Sequence, residues 1–188
     1  MSPVRRRRRL AAKPVVNIHQ RIIPLTATDL GDLIETLSQA DDRIWTTQII
    51  APMLLDQGLA VGSKGGHGPV RYTVIEHEPG RRIRFEFAPG SPLIGWHQFD
   101  VAEVSQASPA LSVPNLYAGQ KRSLIRHTIE CQLDVRGRIL WPLAIRRFHD
   151  AAIQDMFNNL ELAAGGTLHP QQPIPAWVRR AGTWLARL

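Results

Sequence analysis

Residues 124–135 read LIRHTIECQLDV, and the chain continues from 136 to 166 as RGRILWPLAIRRFHDAAIQDMFNNLELAAGG. In the first segment Ile125, His127, Ile129, Cys131, Leu133 and Val135 alternate with Arg126, Thr128, Glu130, Gln132 and Asp134. Such period-two alternation is the pattern of a strand with one apolar and one wet face. Beyond Arg136-Gly137 the period changes. Trp141, Ile145, Phe148, Ala152, Met156 and Leu160 recur at steps of three and four, which predicts a long amphipathic helix ended by Gly165-Gly166. Pro142 falls in its first turn or marks a kink just after the start. A one-sided strand leading into an amphipathic helix predicts a sheet whose apolar face that helix covers.

The upstream chain supplies the rest of the sheet. Val15–Ile23 (VVNIHQRII) predicts a first strand, with Val16, Ile18 and Ile22 on its buried face and Asn17, His19 and Arg21 on the other. Pro24 closes it. Thr26 or Thr28 can cap a helix from Asp29 to about Ser38, and Asp41 or Asp42 a second short helix containing Ile44 and Trp45. Pro52 ends that helix, and Met53–Asp56 is short enough to be a strand. Val70, Tyr72 and Val74 share one strand face, Glu78-Pro79-Gly80-Arg81 makes a turn, and Ile83, Phe85 and Phe87 share the next face. Gly95–Val104 then places His97, Phe99 and Val101 together, before a Ser-, Pro- and Ala-rich loop over 105–120.

Composition bounds the rest. The chain has 188 residues, 44% of them hydrophobic, enough for one globular domain with short appendages. The net charge of +7 is concentrated at the ends: Arg5–Arg9 near the start, and Arg179, Arg180 and Arg187 near the finish. Residues 10–176 are nearly neutral, so a nucleic-acid-binding body is not expected, because such a domain carries its basic patch on the folded surface. No apolar run approaches the roughly 20 residues of a membrane span. A single cysteine forms no internal disulfide, and the expected compartment is the cytoplasm. The division expected is a basic tail over 1–14, a domain over 15–164, a linker over 165–175 and an amphipathic helix over 176–188. That last segment has three open readings: packing on the domain, sealing a dimer, or lying on a membrane surface. The oligomeric state is left open.

The segments PMLLD (52–56), GLAVGSKGGHGPVRY (58–72), EPGRRIRFEF (78–87), GWHQF (95–99), LIRHTIE (124–130) and RFHDAAIQDMFNNLE (147–161) together resemble bacterial members of the SRPBCC superfamily. This is the START-like, polyketide cyclase/dehydrase and lipid-transport group, and the resemblance covers about residues 15–162. It implies an α+β helix-grip fold, in which a curved antiparallel sheet wraps around a long C-terminal helix, with two short helices after the first strand. It also implies a cavity between sheet and helix for an apolar or amphipathic small molecule. The superfamily shares no single catalytic motif, so no active site carries over.

Residues 66–72, GHGPVRY, contain glycines without a phosphate-loop arrangement. Lys64 precedes them and a strand follows, whereas a phosphate loop needs Gly-Lys-Ser/Thr leading into a helix. They are read as a connection into the strand, with His67 at the cavity rim. The expected ligand-binding set is His67, Tyr72, Phe85, His97, Phe99, His127, Ile129, Phe148 and Met156. Tyr72, Phe85, Phe99, Ile129, Phe148 and Met156 would form the wall, and the histidines would orient the ligand's polar atoms. The opposing reading is that each histidine is a core residue bonded to backbone or to a neighbour such as Asp150 or Glu130. No metal or other cofactor is expected, because the histidines show no local pair of the His-x-x-x-His kind. Cys131, mid-strand among apolar neighbours, is expected to be inert.

These observations point to noncatalytic binding of a lipid- or polyketide-like molecule. The alternative is a cyclase/dehydrase-like enzyme with a cavity histidine as general acid or base. A third class is an interaction protein whose basic termini contact an anionic membrane or, nonspecifically, nucleic acid.

Overall fold

In the computed structural model, which describes residues 13–45, 50–104 and 121–165, the strands form one antiparallel sheet. In chain order they are β1 (Val15–Ile23), β2 (Leu54–Leu55), β3 (Lys64–His67), β4 (Val70–Glu78), β5 (Arg82–Phe87), β6 (Leu93–Glu103) and β7 (Ser123–Leu133). Across the sheet the order is β1-β7-β6-β5-β4-β3-β2, so hairpins build β3 to β6 while the first and last strands pair. Helix α1 (Ala27–Ile34) follows β1. After β7 the chain runs as α2 (Val135–Leu140), a π-helical turn (Trp141–Ile145) and α3 (Arg146–Ala163), a continuous helical run of 29 residues. The sheet is curved and the long helix lies across it: this is the helix-grip fold.

Local chemistry sets the element ends. Thr26 caps α1, its hydroxyl accepting from the Asp29 amide at 3.0 Å. Asp134 caps α2 by accepting from the Gly137 amide at 2.7 Å. Pro142 lacks an amide hydrogen for the α-helical ladder, and the helix widens there into its π turn. The expected second short helix does not form through Trp45. Asp42 Oδ1 accepts from the amides of both Ile44 and Trp45 at 3.0 and 2.9 Å, closing a side-chain turn instead; residues 46–49 lie outside the described residues. The tail over 1–12, the loop over 105–120 and the segments beyond 165 also lie outside them. Val135, expected on the strand's inner face, opens α2 and is exposed.

The core sits between sheet and helices. Tyr72, Val74, Ile83, Phe85, Phe99 and Ile125 from the sheet pack with Leu30, Leu33 and Ile34 of α1 and with Ile153, Met156, Phe157 and Leu160 of α3. The alternation read in β4, β5, β6 and β7 holds. Arg82 and Arg84 point outward, pairing with Asp100 at 2.8 Å and Glu76 at 3.0 Å.

Up to Arg21, β1 is inverted relative to the sequence expectation, whereas Ile22, expected to be buried, is buried. In an antiparallel pair, directly opposed residues share a face. Asn17, His19 and Arg21 stand opposite Ile129, His127 and Ile125, which are buried, and so they face the helix. Val16 and Ile18 stand opposite Glu130 and Thr128 on the outer face and are exposed. The alternation located two faces correctly, but which face turns inward was decided by the polar side chains that α3 presents to β1.

Candidate functional site

Between the sheet and the long helix lies a cavity of about 450 Å³. Its walls come from β4 (Val70), β5 (Phe87), β6 (Leu93, His97, Phe99), β7 (His127, Ile129) and the helical run (Leu140, Ala144, Ile145, Phe148, His149, Ala152, Ile153, Met156). The β3–β4 turn, with His67, Gly68 and Pro69, and residues Trp45, Ile50 and Ala51 complete the lining. Apart from four histidines these side chains are apolar. No lysine, arginine, aspartate or glutamate lines the cavity among the described residues.

Seven of the nine expected residues line it: His67, His97, Phe99, His127, Ile129, Phe148 and Met156. Tyr72 and Phe85 do not. Both rings stand behind the lining, with centroids 5.0 and 4.8 Å from that of His97. Their strand parity is inward, but His97 of β6 packs against both rings and lines the cavity in their place. Residues missed from sequence include Trp45 and Ala51 near the bend, and Ala144 and Ile145 in the π turn. No periodic signal marked the first pair; Ile145 stands on the helical stripe, which gives a face and not a place in the wall, and Ala144 lies one position off it.

The GHGPVRY stretch is a β-turn connection. Gly66 has φ +154°, and a Cβ there would stand 1.9 Å from the carbonyl oxygen of Val70; Gly68 has φ +49°. Position 66 therefore requires glycine and position 68 favours it. The turn delivers His67 to the cavity, its ring centroid 5.2 Å from that of Trp45 and 5.8 Å from that of Tyr72.

The histidines form a row. His97 Nδ1 and His127 Nε2 share a hydrogen bond of 3.3 Å. The His127 and His149 centroids are 4.9 Å apart, and those of His149 and His19 are 5.5 Å apart. Burial lowers the pKa of all four cavity rings, and the proximity of the other rings lowers it further for His67, His97 and His127. His67 falls to about 4. For His149 the neighbouring Asp150 carboxylate offsets burial only in part. At neutral pH these four rings are uncharged. His127 Nδ1 and both ring nitrogens of His149 are buried without a hydrogen-bond partner among the described residues. Such unpartnered buried nitrogens are uncommon in a folded chain.

The row ends at a polar seam between β1 and α3. Arg21 can only donate, so the oxygen of Gln154 accepts from its Nη2 at 2.5 Å. The Gln154 amide nitrogen then donates to His19 Nδ1 at 3.1 Å, and His19 Nε2 carries the hydrogen that it donates to Asp150 Oδ1 at 2.9 Å. Asn17 donates to the same oxygen at 2.9 Å. Burial raises the pKa of Asp150, but the adjacent His149 ring and the hydrogen bonds from His19 and Asn17 outweigh it and hold the carboxyl well below its ordinary range. The His149 Nδ1–Asp150 Oδ1 approach, 3.7 Å, is longer than a hydrogen bond.

His19, His149 and Asp150 offer donor atoms within 4.8 Å of one another, a cluster the sequence did not show because it joins β1 to α3. As arranged it is a hydrogen-bond network. The His19 nitrogen that would meet a cation carries the hydrogen bonded to Asp150, and its other nitrogen is occupied by Gln154. Cys131 is buried and its thiol pushed up to about 11, which leaves it unreactive at neutral pH.

These features define a helix-grip protein with a largely apolar internal cavity. Neither a protein-family model nor a curated protein sequence matches the chain. Solved structures share the fold at low identity. CalU16 from Micromonospora echinospora is similar with a TM-score of 0.53 at 9% identity, over 93% of this chain and 90% of that one. A Thalictrum flavum norcoclaurine synthase mutant, solved with a transition-state analogue, gives 0.53 at 10% identity over 81% and 96%. A START superfamily protein from Mycobacterium smegmatis gives 0.51 at 8% identity over 80% and 97%. The likeness is one of fold, and it agrees with the SRPBCC resemblance carried by the residues. No helix among the described residues is long and apolar enough to cross a membrane.

Proposed function

We propose that this protein binds a hydrophobic or amphipathic small molecule, lipid- or polyketide-like, in the cavity between sheet and long helix, without catalysing its conversion. The observation that carries this reading is the cavity itself. Its volume of about 450 Å³ lies within the roughly 300–1,000 Å³ of small-molecule sites, and among the described residues its only polar lining side chains are neutral histidines. An apolar body gains free energy by leaving water for such walls, while a permanent charge would lose hydration without a counter-ion. His127 and His149 line the cavity and would meet a hydroxyl or carbonyl on the ligand by a turn of the ring, since their unpartnered nitrogens are covered in this structure. Their lowered pKa values make them weak bases, which favours hydrogen bonding over proton abstraction.

The second reading is a cyclase/dehydrase-like enzyme. What favours it is His127, a cavity-lining ring whose Nδ1 has no hydrogen-bond partner among the described residues. That norcoclaurine synthase shares the fold keeps the reading open and does not decide it.

The test is binding of the neutral fluorophore N-phenyl-1-naphthylamine, together with native mass spectrometry of the gently purified protein. Ala144→Trp places an indole in the cavity wall away from the buried core. Saturable binding that this variant weakens roughly tenfold or more, with an unchanged melting temperature, supports the cavity reading. Absence of probe binding and of any co-purified ligand across expression hosts would sink it.

A further inference from the structure

The long helical run has a second face that the cavity does not use. Val135, Ile139 and Leu143 follow one another at four-residue steps and are 77%, 59% and 61% exposed. Leu140, beside them, is 43% exposed and also lines the cavity, as do Ala144 and Ile145 of the π turn. Large aliphatic side chains left this open, in a contiguous stripe, are uncommon on a surface that meets only water. The stripe is held firmly. Trp141 points the other way and is buried against Phe87, Leu93, Ile129 and Cys131, so the segment is anchored to the sheet by its inner side.

The same stretch is strongly basic. Residues 135–149 contain Arg136, Arg138, Arg146 and Arg147 and no aspartate or glutamate. The nearest carboxylates, Asp134 and Asp150, are bonded to Arg136 at 2.8 Å and to His19 at 2.9 Å, with Arg146 3.6 Å from Asp150. An aliphatic stripe flanked by arginines matches the depth profile of a bilayer surface: acyl chains accept the stripe, and lipid phosphates and carboxylates meet the guanidinium groups. The arginine stems also let the charged heads reach outward while the stripe is covered.

We propose that Val135–Arg147 is a docking face for an anionic lipid bilayer. It seats the protein with the Leu140–Ile145 wall of the cavity against the membrane. A molecule leaving the bilayer would then reach the cavity without crossing bulk water. The face is distinct in sequence from the basic termini, and it can fail while the cavity reading stands.

Co-sedimentation of the full chain with vesicles tests it. The vesicles are pure phosphatidylcholine, or phosphatidylcholine with about one-third phosphatidylserine. Wild-type protein is expected to pellet with the anionic vesicles, less so at high salt, and weakly with the neutral ones. The pair Ile139→Ser and Leu143→Ser changes two exposed side chains, and it is expected to lower partitioning roughly tenfold or more. Its melting temperature and N-phenyl-1-naphthylamine binding should remain as in wild type. Arg138→Glu should lower partitioning several-fold. Replacing Arg5 to Arg9 by glutamine should leave most of it. The proposal is overturned if wild type does not bind either vesicle, if the serine pair binds as wild type does, or if the tail substitutions alone abolish binding. It is equally overturned if the chain is a dimer without vesicles and the serine pair makes it a monomer, since the stripe would then be an interface between copies.

Discussion

Along one flank of α3, Ile153, Met156, Phe157 and Leu160 are buried in a cluster with Ile23, Leu30, Phe99 and Ile125. Along the other, Asp150, Gln154, Asn158 and Glu161 meet Asn17, His19 and Arg21 of β1 through hydrogen bonds and ion pairs. Both flanks grip the same helix. The apolar flank supplies non-directional stabilisation that scales with the area removed from water. The polar seam supplies direction, because each donor has one acceptor at one register. A slide of β1 by one residue would turn Val16 and Ile18 toward these carboxylates and amides. The seam also holds Asp150 in place beside His149, so the polar end of the cavity is set by contacts made outside it.

The largest effect is expected on the apolar flank. Phe157 is fully buried, and Phe157→Ala removes a ring from a cluster that cannot collapse around the gap. Urea unfolding should show a loss of about 4 kcal/mol. A loss below about 1 kcal/mol would mean that this flank does not carry the fold.

Next comes the seam. Glu161 is fully buried and lies 3.5 Å from Arg21, whose guanidinium also bonds Gln154 and Asn158 and stands 5.4 Å from the Phe157 ring centroid. Arg21→Met takes that cation from a buried carboxylate and should cost about 3 kcal/mol. Adding Glu161→Leu should restore most of the loss, because the pair is replaced by apolar volume. If the double variant is no better than the single, the seam's worth lies in its hydrogen bonds to Gln154 and Asn158.

The row of histidines links the two flanks and should be read out by pH. Folding holds His67, His97, His127 and His149 below the ordinary histidine value, so below about pH 6.5 the unfolded chain takes up protons that the native state refuses. The stability they confer is therefore complete above about pH 6.5 and is lost as the pH falls toward about 4, where His67 itself protonates in the fold. At about pH 5 the His67 contribution alone is about 2 kcal/mol. His67→Gln should flatten the curve of unfolding free energy against pH by that amount while leaving the value at neutral pH little changed. Curves of equal slope for the two proteins would mean that His67 is hydrated in the native state.

Much of this was legible in the residues, and what was not has a physical cause. Alternation in β5, β6 and β7 placed His97, Phe99 and His127 on the cavity side, because these strands have one wet face and the pattern reports it. The helical steps from Trp141 to Leu160 located the gripping helix. Tyr72 and Phe85 were assigned to the wall because parity gives a face and not a depth. The seam was invisible for a different reason. His19 and Asp150 are 131 positions apart, and each looks like an ordinary surface residue within its own segment.

The smallest expected effect tests the inversion of β1 most directly. On the sequence pattern alone, Ile18 is a core residue and Asn17 a surface one. In the fold Ile18 is exposed on the outer face, and Asn17 donates to Asp150 Oδ1 at 2.9 Å. Ile18→Thr should therefore change stability by no more than about 0.5 kcal/mol, as for an exposed strand position. Asn17→Val keeps a strand-favouring side chain but removes a donor from a half-buried carboxylate, and should cost about 1 kcal/mol. Both are read from the midpoint of urea unfolding. The order of the two losses matters more than their size. Should Ile18→Thr prove the costlier, β1 would have its other face inward, and His19 would leave the row that ends at Asp150.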